Sequence, residues 1–352
     1  MIVLDAHCDS PSQMLRLRDF GQDNRRGQVD FPKMKRGGVD ASFFSLYIAP
    51  YRGIGADALR YADSLLDTVD RQVAENPDKV VYAYTKAQVE ANADNGLISI
   101  LLGLENGSPV GEDLKLVDYF YERGVRYITL THSADNQICD SCTGKGTWGG
   151  LSPFGRQMVR HMEELGMMID LAHSSDDTVR DVLSCCSRPV VYTHGCCRSL
   201  ASHRRNLSDE LLLGIAETGG VAGMSIYPDF LDDGFAEVLR SSGLDRKLWL
   251  EDEFIKDPAD PAKSKAWYDL QEELTTLKRP GVCRVVDHIE HALAVCGEDH
   301  VGIGTDYDGI EYTASGLETI ASFACIFTEM RRRNIPESVI SKVAGQNFLR
   351  LL

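Results

Sequence analysis

No apolar run in this 352-residue sequence approaches the ~20 residues needed to cross a membrane, so no transmembrane segment is expected. Positive charge is also scarce: 37 Lys and Arg stand against 53 Asp and Glu, a formal net charge of −16. Nucleic acids and anionic membranes both require a basic face, so neither is an expected partner. No basic segment followed by an apolar stretch opens the chain, and a cytoplasmic location without a membrane anchor is the expectation. The glycine-rich GxGxxG turn of a nucleotide site does not follow the first apolar run. Paired zinc-ribbon spacing is missing among the ten cysteines: Cys185-Cys186 and Cys196-Cys197 are neighbours, and Cys139-x-x-Cys142 stands alone. Reduced, mostly buried thiols follow from this, without a structural disulfide.

What the chain does have is a repeating order. Short apolar, β-branched runs occur at 2–4, 38–46, 97–104, 125–131, 167–172, 189–193, 221–226 and 300–305, with a small extra run at 80–84. Patterns of helical period separate most of them, at 56–76, 114–123, 154–165, 176–186, 208–218 and 282–296. Gly124 and Gly166 give two of these helices a C-terminal stop, and Ser208 gives another an N-cap. Two further helices, 318–332 and 337–349, close the chain. Alternating βα units imply a parallel sheet, and eight of them predict an α/β fold, a (β/α)8 TIM barrel, as one domain over 1–352. The rival is an open, doubly wound sheet, for which the nucleotide-binding turn is lacking. Residues 229–280 break the rhythm with dense charge, Trp249 and Trp267. They predict an insertion after strand seven, built of short helices over one face and acting as a lid.

The position of the polar residues is the informative feature. His7 and Asp9 follow strand one, Glu105 strand three, His132 strand four and His173 strand five. His194 follows strand six, Tyr227 strand seven and Asp306 strand eight. In a barrel all of these face the C-terminal rim, where such folds keep their chemistry. His7 and Asp9 are two apart, so on an extended chain their side chains point the same way. Cys8 between them should point to the barrel wall and serve packing only. The remaining histidines (His161, His203, His288, His291 and His300) lack this placement and are expected in surface or structural roles.

Three neutral imidazoles with Asp9 and Glu105 make ligands for two divalent ions. The two carboxylates, a bridging hydroxide and a nearby ionised Asp306 would bring such a pair close to neutrality. Histidine-rich ligation with mixed carboxylate favours Zn2+, with Mn2+ and Fe2+ as alternatives.

These residues stand in motifs that resemble the renal, or membrane, dipeptidase family of zinc dipeptidases (peptidase family M19). The motifs are DAHCD at the start, GLENG at 103–107, LTHSADN at 130–136 and GLSPFG at 150–155. IDLAHSS at 169–175, THG with SHRRN downstream, GIGTDYDG at 302–309 and the closing GQNFLRLL complete the set. The resemblance implies a barrel with a binuclear zinc site that hydrolyses dipeptides, and a homodimer; it leaves open whether the C-terminal residue is L or D. It implies that His7, Asp9 and Glu105 bind one zinc, and that Glu105, as bridge, binds the second with His173 and His194. Asp306 resembles the proton-transferring residue, and His132 the histidine that contacts substrate and its tetrahedral intermediate. Arg205 resembles the arginine that takes the dipeptide's terminal carboxylate. The 229–280 stretch carries no motif to align, so Tyr227 and the side-chain contacts there rest on position alone.

Two other classes of function remain open on sequence. One is a different amidohydrolase-type enzyme on the same barrel, acting on a lactone, phosphoester or nucleobase. Such enzymes often carry His-x-His after strand one and a carboxylated lysine bridge, where this chain has His-x-Asp and Glu105. The other is a binding protein that kept the barrel, which the presence of all five ligand residues and Asp306 disfavours.

Overall fold

The protein is described by a computed structural model covering residues 1–16, 18–257 and 260–352. Nine strands run in chain order: β1 (Leu4–Cys8), β2 (Ala41–Tyr47), β3 (Val80–Tyr82), β4 (Ile98–Glu105) and β5 (Val125–Thr129), then β6 (Met168–Asp170), β7 (Val191–Gly195), β8 (Val221–Met224) and β9 (Val301–Ile303). Every pairing is parallel, in the order β1-β2-β4-β5-β6-β7-β8-β9, with β3 paired to the start of β4. The extra run at 80–84 is thus a short strand outside the main path, as its sequence predicts.

The ring closes between β9 and β1 through an irregular seam. The Asp306 N–H donates to the His7 carbonyl at 3.0 Å, and the Asp9 N–H to the Tyr307 carbonyl at 2.9 Å. Asp5, fully buried, straps the same seam by accepting from the Thr305 N–H at 2.9 Å and the Thr305 hydroxyl at 2.6 Å. The result is a nearly closed eight-stranded barrel with helices around it, the predicted (β/α)8 class.

Two apolar layers hold it. Leu4, Ala6, Phe43, Leu101, Tyr127 and Val191 fill the barrel interior, plugged from below by Phe348 and Leu349 of the closing helix. Residues of the opposite strand face, such as Phe44, Leu102, Ile128 and Tyr192, pack outward against the helices. This is the alternation of a barrel strand.

The helices at 56–75, 153–165, 176–185, 209–217 and 282–296 fall where their periodicity places them. Three others carried too little apolar period to be read: Ser10–Leu15, Phe31–Gly37 and Lys86–Asp94. The closing helix is not continuous. It runs Glu337–Ser341, widens over Lys342–Gln346 and ends as Asn347–Leu349. Gly345 there packs against the start of β1, where a Cβ would come within 2.8 Å of the Ile2 carbonyl.

The segment after β8 forms helices Pro228–Leu231, Phe235–Ser242, Trp249–Lys256 and Pro261–Thr275. They share an apolar cluster of their own, with Phe235, Phe254, Trp267 and Leu270 packed beside Tyr312. All ten cysteines are free thiols. Cys8 lies in the outer layer, its sulfur 3.3 Å from the Ser42 hydroxyl, in the packing role expected of it. No helix among the described residues is long and apolar enough to cross a membrane.

Candidate metal centre

Two strand irregularities aim the histidines. In β1, Leu4 and Asp5 pair with Ala41 and Ser42, yet Cys8 pairs with Phe44, so β1 carries an extra residue over that interval. The same happens in β7, where Tyr192 pairs with Ala222 and Gly195 with Met224. Bulges of this kind re-aim a side chain. Strict alternation from Leu4 and Ala6, both inside the barrel, would send His7 outward, and alternation from Val191 would do the same to His194. The bulges turn both inward. Asp9 converges from the first turn of the next segment, as the residue preceding helix Ser10–Leu15. His7 and Asp9 therefore meet by a bulge and a helix start, where the sequence suggested simple alternation.

Glu105, the last residue of β4, stands at the middle of the cluster. Its Oε2 is 3.6 Å from His7 Nε2, which lies 3.8 Å from Asp9 Oδ2. Its Oε1 faces the other way, 3.0 Å from His173 Nε2 and 3.5 Å from His194 Nε2. The donor atoms of His7, Asp9 and Glu105 lie within 4.8 Å of one another, as do those of Glu105, His173 and His194. His7, His194 and Asp306 make a third such set. His173 and Asp306 both hold left-handed backbone, with φ of 67° and 68°. For residues other than glycine this costs of order 1–3 kcal/mol, strain that concentrates at functional sites.

The donor set fits a divalent cation. His7 Nε2, Asp9 Oδ1 and Glu105 Oε2 are buried with no hydrogen-bond partner among the described residues, an expensive arrangement unless something else satisfies them. Burial, helped by Arg205, holds His173 and His194 well below the usual histidine range, so both are neutral and ready to ligate. Burial also opposes charge on His7, but Glu105 and Asp9 outweigh it and pull its pKa up. Burial and the Glu105 carboxylate raise Asp9 to about 6. A divalent ion would supply the positive charge that these crowded carboxylates lack.

The cluster opens into a cleft of about 290 Å³ at the C-terminal rim. His132 lines it, its ring 4.0 Å from that of His173 and 4.7 Å from that of Tyr47, centroid to centroid. Burial, with Arg205 nearby, lowers the His132 pKa to about 3. Asp306 lines it too; burial, then Asp9 and Glu105, hold its carboxyl well above the ordinary range. Tyr227 forms part of the wall and donates to the Tyr312 hydroxyl at 3.3 Å. Arg205 is deeper. It is buried, donates to the Tyr192 hydroxyl at 2.7 Å and the His194 carbonyl at 3.2 Å, and its Nε has no partner among the described residues.

Several residues at the site carried no readable signal. Glu251 and Ile255 reach the cleft from the inserted helix Trp249–Lys256, and Arg16 and Glu311 line it beside them. Beneath the ligands, Tyr127 Oη lies 2.9 Å from His7 Nδ1. Gly103 makes room for that ring, since a Cβ there would sit 2.1 Å from it. Gly103→Ala should therefore lower stability by roughly 1–3 kcal/mol and weaken metal binding. A thermal melt with metal analysis checks this, and a variant matching the wild type in both would refute the close-approach argument. Of the histidines set aside, His288 is structural: its Nδ1 accepts from the Cys197 N–H at 3.1 Å, and its Nε2 faces the Leu231 carbonyl at 3.0 Å.

A parallel barrel with a histidine–carboxylate cluster at its C-terminal rim defines a metal-dependent hydrolase. Residues 1–352 match the family model described as membrane dipeptidase, peptidase family M19. The chain is 30% identical over 338 residues to dipeptidase aclJ of Aspergillus oryzae, spanning 94% of this chain and 70% of that protein. Dipeptidase verJ of Clonostachys rogersoniana is 29% identical over 338 residues, 93% of this chain and 76% of its own. Among solved structures, the probable dipeptidase PvdM of Pseudomonas aeruginosa has a TM-score of 0.83 at 24% identity, covering 100% of this chain and 94% of that one. A Rhodobacter sphaeroides metallopeptidase, liganded with a phosphinate mimic of the dipeptide L-Ala-D-Ala, has a TM-score of 0.80 at 22% identity, over 100% and 98% of the two chains. These structures share the fold. The chain belongs to the membrane dipeptidase family, M19, and is a dipeptidase of that metallopeptidase class.

Proposed function

We propose that this enzyme hydrolyses dipeptides with two divalent ions, zinc favoured, one held by His7, Asp9 and Glu105 and the other by Glu105, His173 and His194. The observation that carries the reading is Glu105, whose two oxygens face two different histidine sets. A carboxylate placed in this way would hold one ion with each oxygen. Ions held there would supply Lewis-acid polarisation of the scissile carbonyl and would make a water acidic enough to attack it.

The chain's own residues do the rest. Asp306 takes the proton from the attacking water and delivers it to the leaving amine, for which a carboxyl with a raised pKa is well matched. His132, neutral, donates an N–H to the developing oxyanion. Arg205 receives the substrate's terminal carboxylate through N–H groups not spent on Tyr192 and His194. Tyr227 contributes to the side-chain wall. A cleft of about 290 Å³ is small for a ligand site and suits two residues better than a longer peptide. A D-residue at the C-terminal position fits the same scheme, as the dipeptide mimic bound by the Rhodobacter sphaeroides neighbour suggests.

The wall is acidic. Glu251, Asp252 and Glu311 line the cleft beside Arg16, and burial with the neighbouring Glu311 already holds the Glu251 carboxyl well above its ordinary range, so a further carboxylate is unwelcome there. Like-charge juxtaposition is costly in such a site, so dipeptides with neutral or cationic side chains should exceed acidic ones in kcat/KM by about tenfold or more. A dipeptide panel on zinc-loaded protein, with L-Xaa-D-Xaa members and a chelated control, tests both points. Equal rates for acidic and basic members would remove the charge argument. No hydrolysis of any member would point to another amidohydrolase-type substrate, such as a lactone, phosphoester or nucleobase.

A further inference from the structure

Under the metal cluster lies a fully buried carboxylate that the mechanism above does not use. Asp170, the last residue of β6, accepts at Oδ1 from the Ala172 N–H at 3.1 Å and the Thr193 N–H at 2.9 Å. At Oδ2 it accepts from the Thr193 hydroxyl at 2.8 Å and from the Thr129 hydroxyl. Thr129, Asp170 and Thr193 stand on three successive strands, β5, β6 and β7.

The direction of these bonds is forced. Two of the four donors are backbone N–H groups, which can only donate, and all four converge on one carboxylate. A hydroxyl has a single hydrogen, and that of Thr193 is committed to Asp170. Its oxygen can then only accept. That oxygen lies 3.0 Å from His194 Nδ1 and 3.4 Å from His7 Nδ1. His194 Nδ1, the nearer of the two, must therefore carry the proton, which leaves Nε2 of that imidazole with its lone pair free, whereas His7 Nδ1 also faces the Tyr127 hydroxyl at 2.9 Å, a group able to donate to it. The His194 Nε2 is the atom that faces Glu105.

The geometry points to Thr193 and Asp170 as positioning residues that fix His194 in the Nδ1–H tautomer required for metal binding at Nε2. The bulge in β7 makes this possible, because it turns Thr193 and His194 to the same side of the strand. This inference rests on His194 being a ligand, as proposed above.

The test measures metal affinity, not turnover, by titrating the full chain with zinc under a buffered free-metal concentration. His194→Ala should lose one zinc equivalent. Thr193→Val keeps the shape and removes the hydroxyl; it should weaken zinc binding 10–100-fold, the usual range for a partner of a metal-bound histidine. Thr193→Ser should restore near wild-type affinity. Wild-type affinity in Thr193→Val, with His194→Ala still defective, would overturn the tautomer role and leave the ligand assignment standing. Full zinc content in His194→Ala would overturn the ligand assignment itself. Should Thr193→Val fail to fold, nitrogen-15 spectra of histidine-labelled wild type, before and after zinc is added, decide the question. Protonated Nδ1 on His194 before zinc is expected, and protonated Nε2 would overturn the proposal.

Discussion

Asp306→Asn should retain its metal and lose about 10²–10⁴-fold in kcat/KM, the share of a positioned general acid–base group, or roughly 3–5 kcal/mol of transition-state stabilisation. Asn keeps the size and planar shape of Asp, and the backbone contact that sets the residue's place, its N–H to the His7 carbonyl at 3.0 Å, is untouched by the change. What it loses is the ability to take and return a proton. Metal analysis is the essential companion measurement, because Asp306 also lies within 4.8 Å of His7 and His194 donor atoms. Loss of an ion with the loss of rate would make Asp306 a ligand first. Retained metal with unchanged turnover would remove it from the proton path.

His7→Ala should remove an ion before it removes the fold. His7 is fully buried, so the substitution leaves a cavity, yet the strand around it remains tied at the seam by Asp5, Thr305 and Asp306. Its Nε2 is one of the orphaned atoms of the cluster, and hydrolysis should fall at least about 10³-fold without the Lewis acid held there. The clearest readout is stability. A ligand that binds only the native state contributes about 4 kcal/mol at 1,000 times its dissociation constant. Wild-type protein should therefore melt higher with zinc than after chelation, and His7→Ala should lose much of that increment. A variant with full zinc content and the full zinc-dependent rise in melting temperature would refute the ligand role.

The strand-end positions of His7, Glu105, His173, His194 and Asp306 were legible because a barrel enforces one rule on every βα unit. Each strand delivers its last residues to the same rim, so chemistry-bearing types recurring there can be seen in one dimension. The 229–280 segment had no such rule. Its helices pack on one another and on Tyr312, and their placement of Glu251 and Ile255 at the cleft follows from tertiary docking alone. The short helices between β1 and β2 escaped for a related reason, since Ser10–Leu15 is buried almost throughout and shows no amphipathic period.

The sequence by itself determined the repeating units, their order, the residues that end the strands, the net negative charge and the lack of an apolar run long enough for a membrane helix. Those are properties of composition and of local period, which burial imposes on each element separately. Only the tertiary structure decided how the rim residues face one another. The extra residue in β1 and in β7 shows only against a neighbouring strand's register, and it turns His7 and His194 into the barrel. The orientation of Glu105 between two histidine sets, and the contact of one Thr193 oxygen with two imidazoles, likewise depend on strands far apart in the chain. Ligand types are written along a sequence, but ligand directions exist only once the ring has closed.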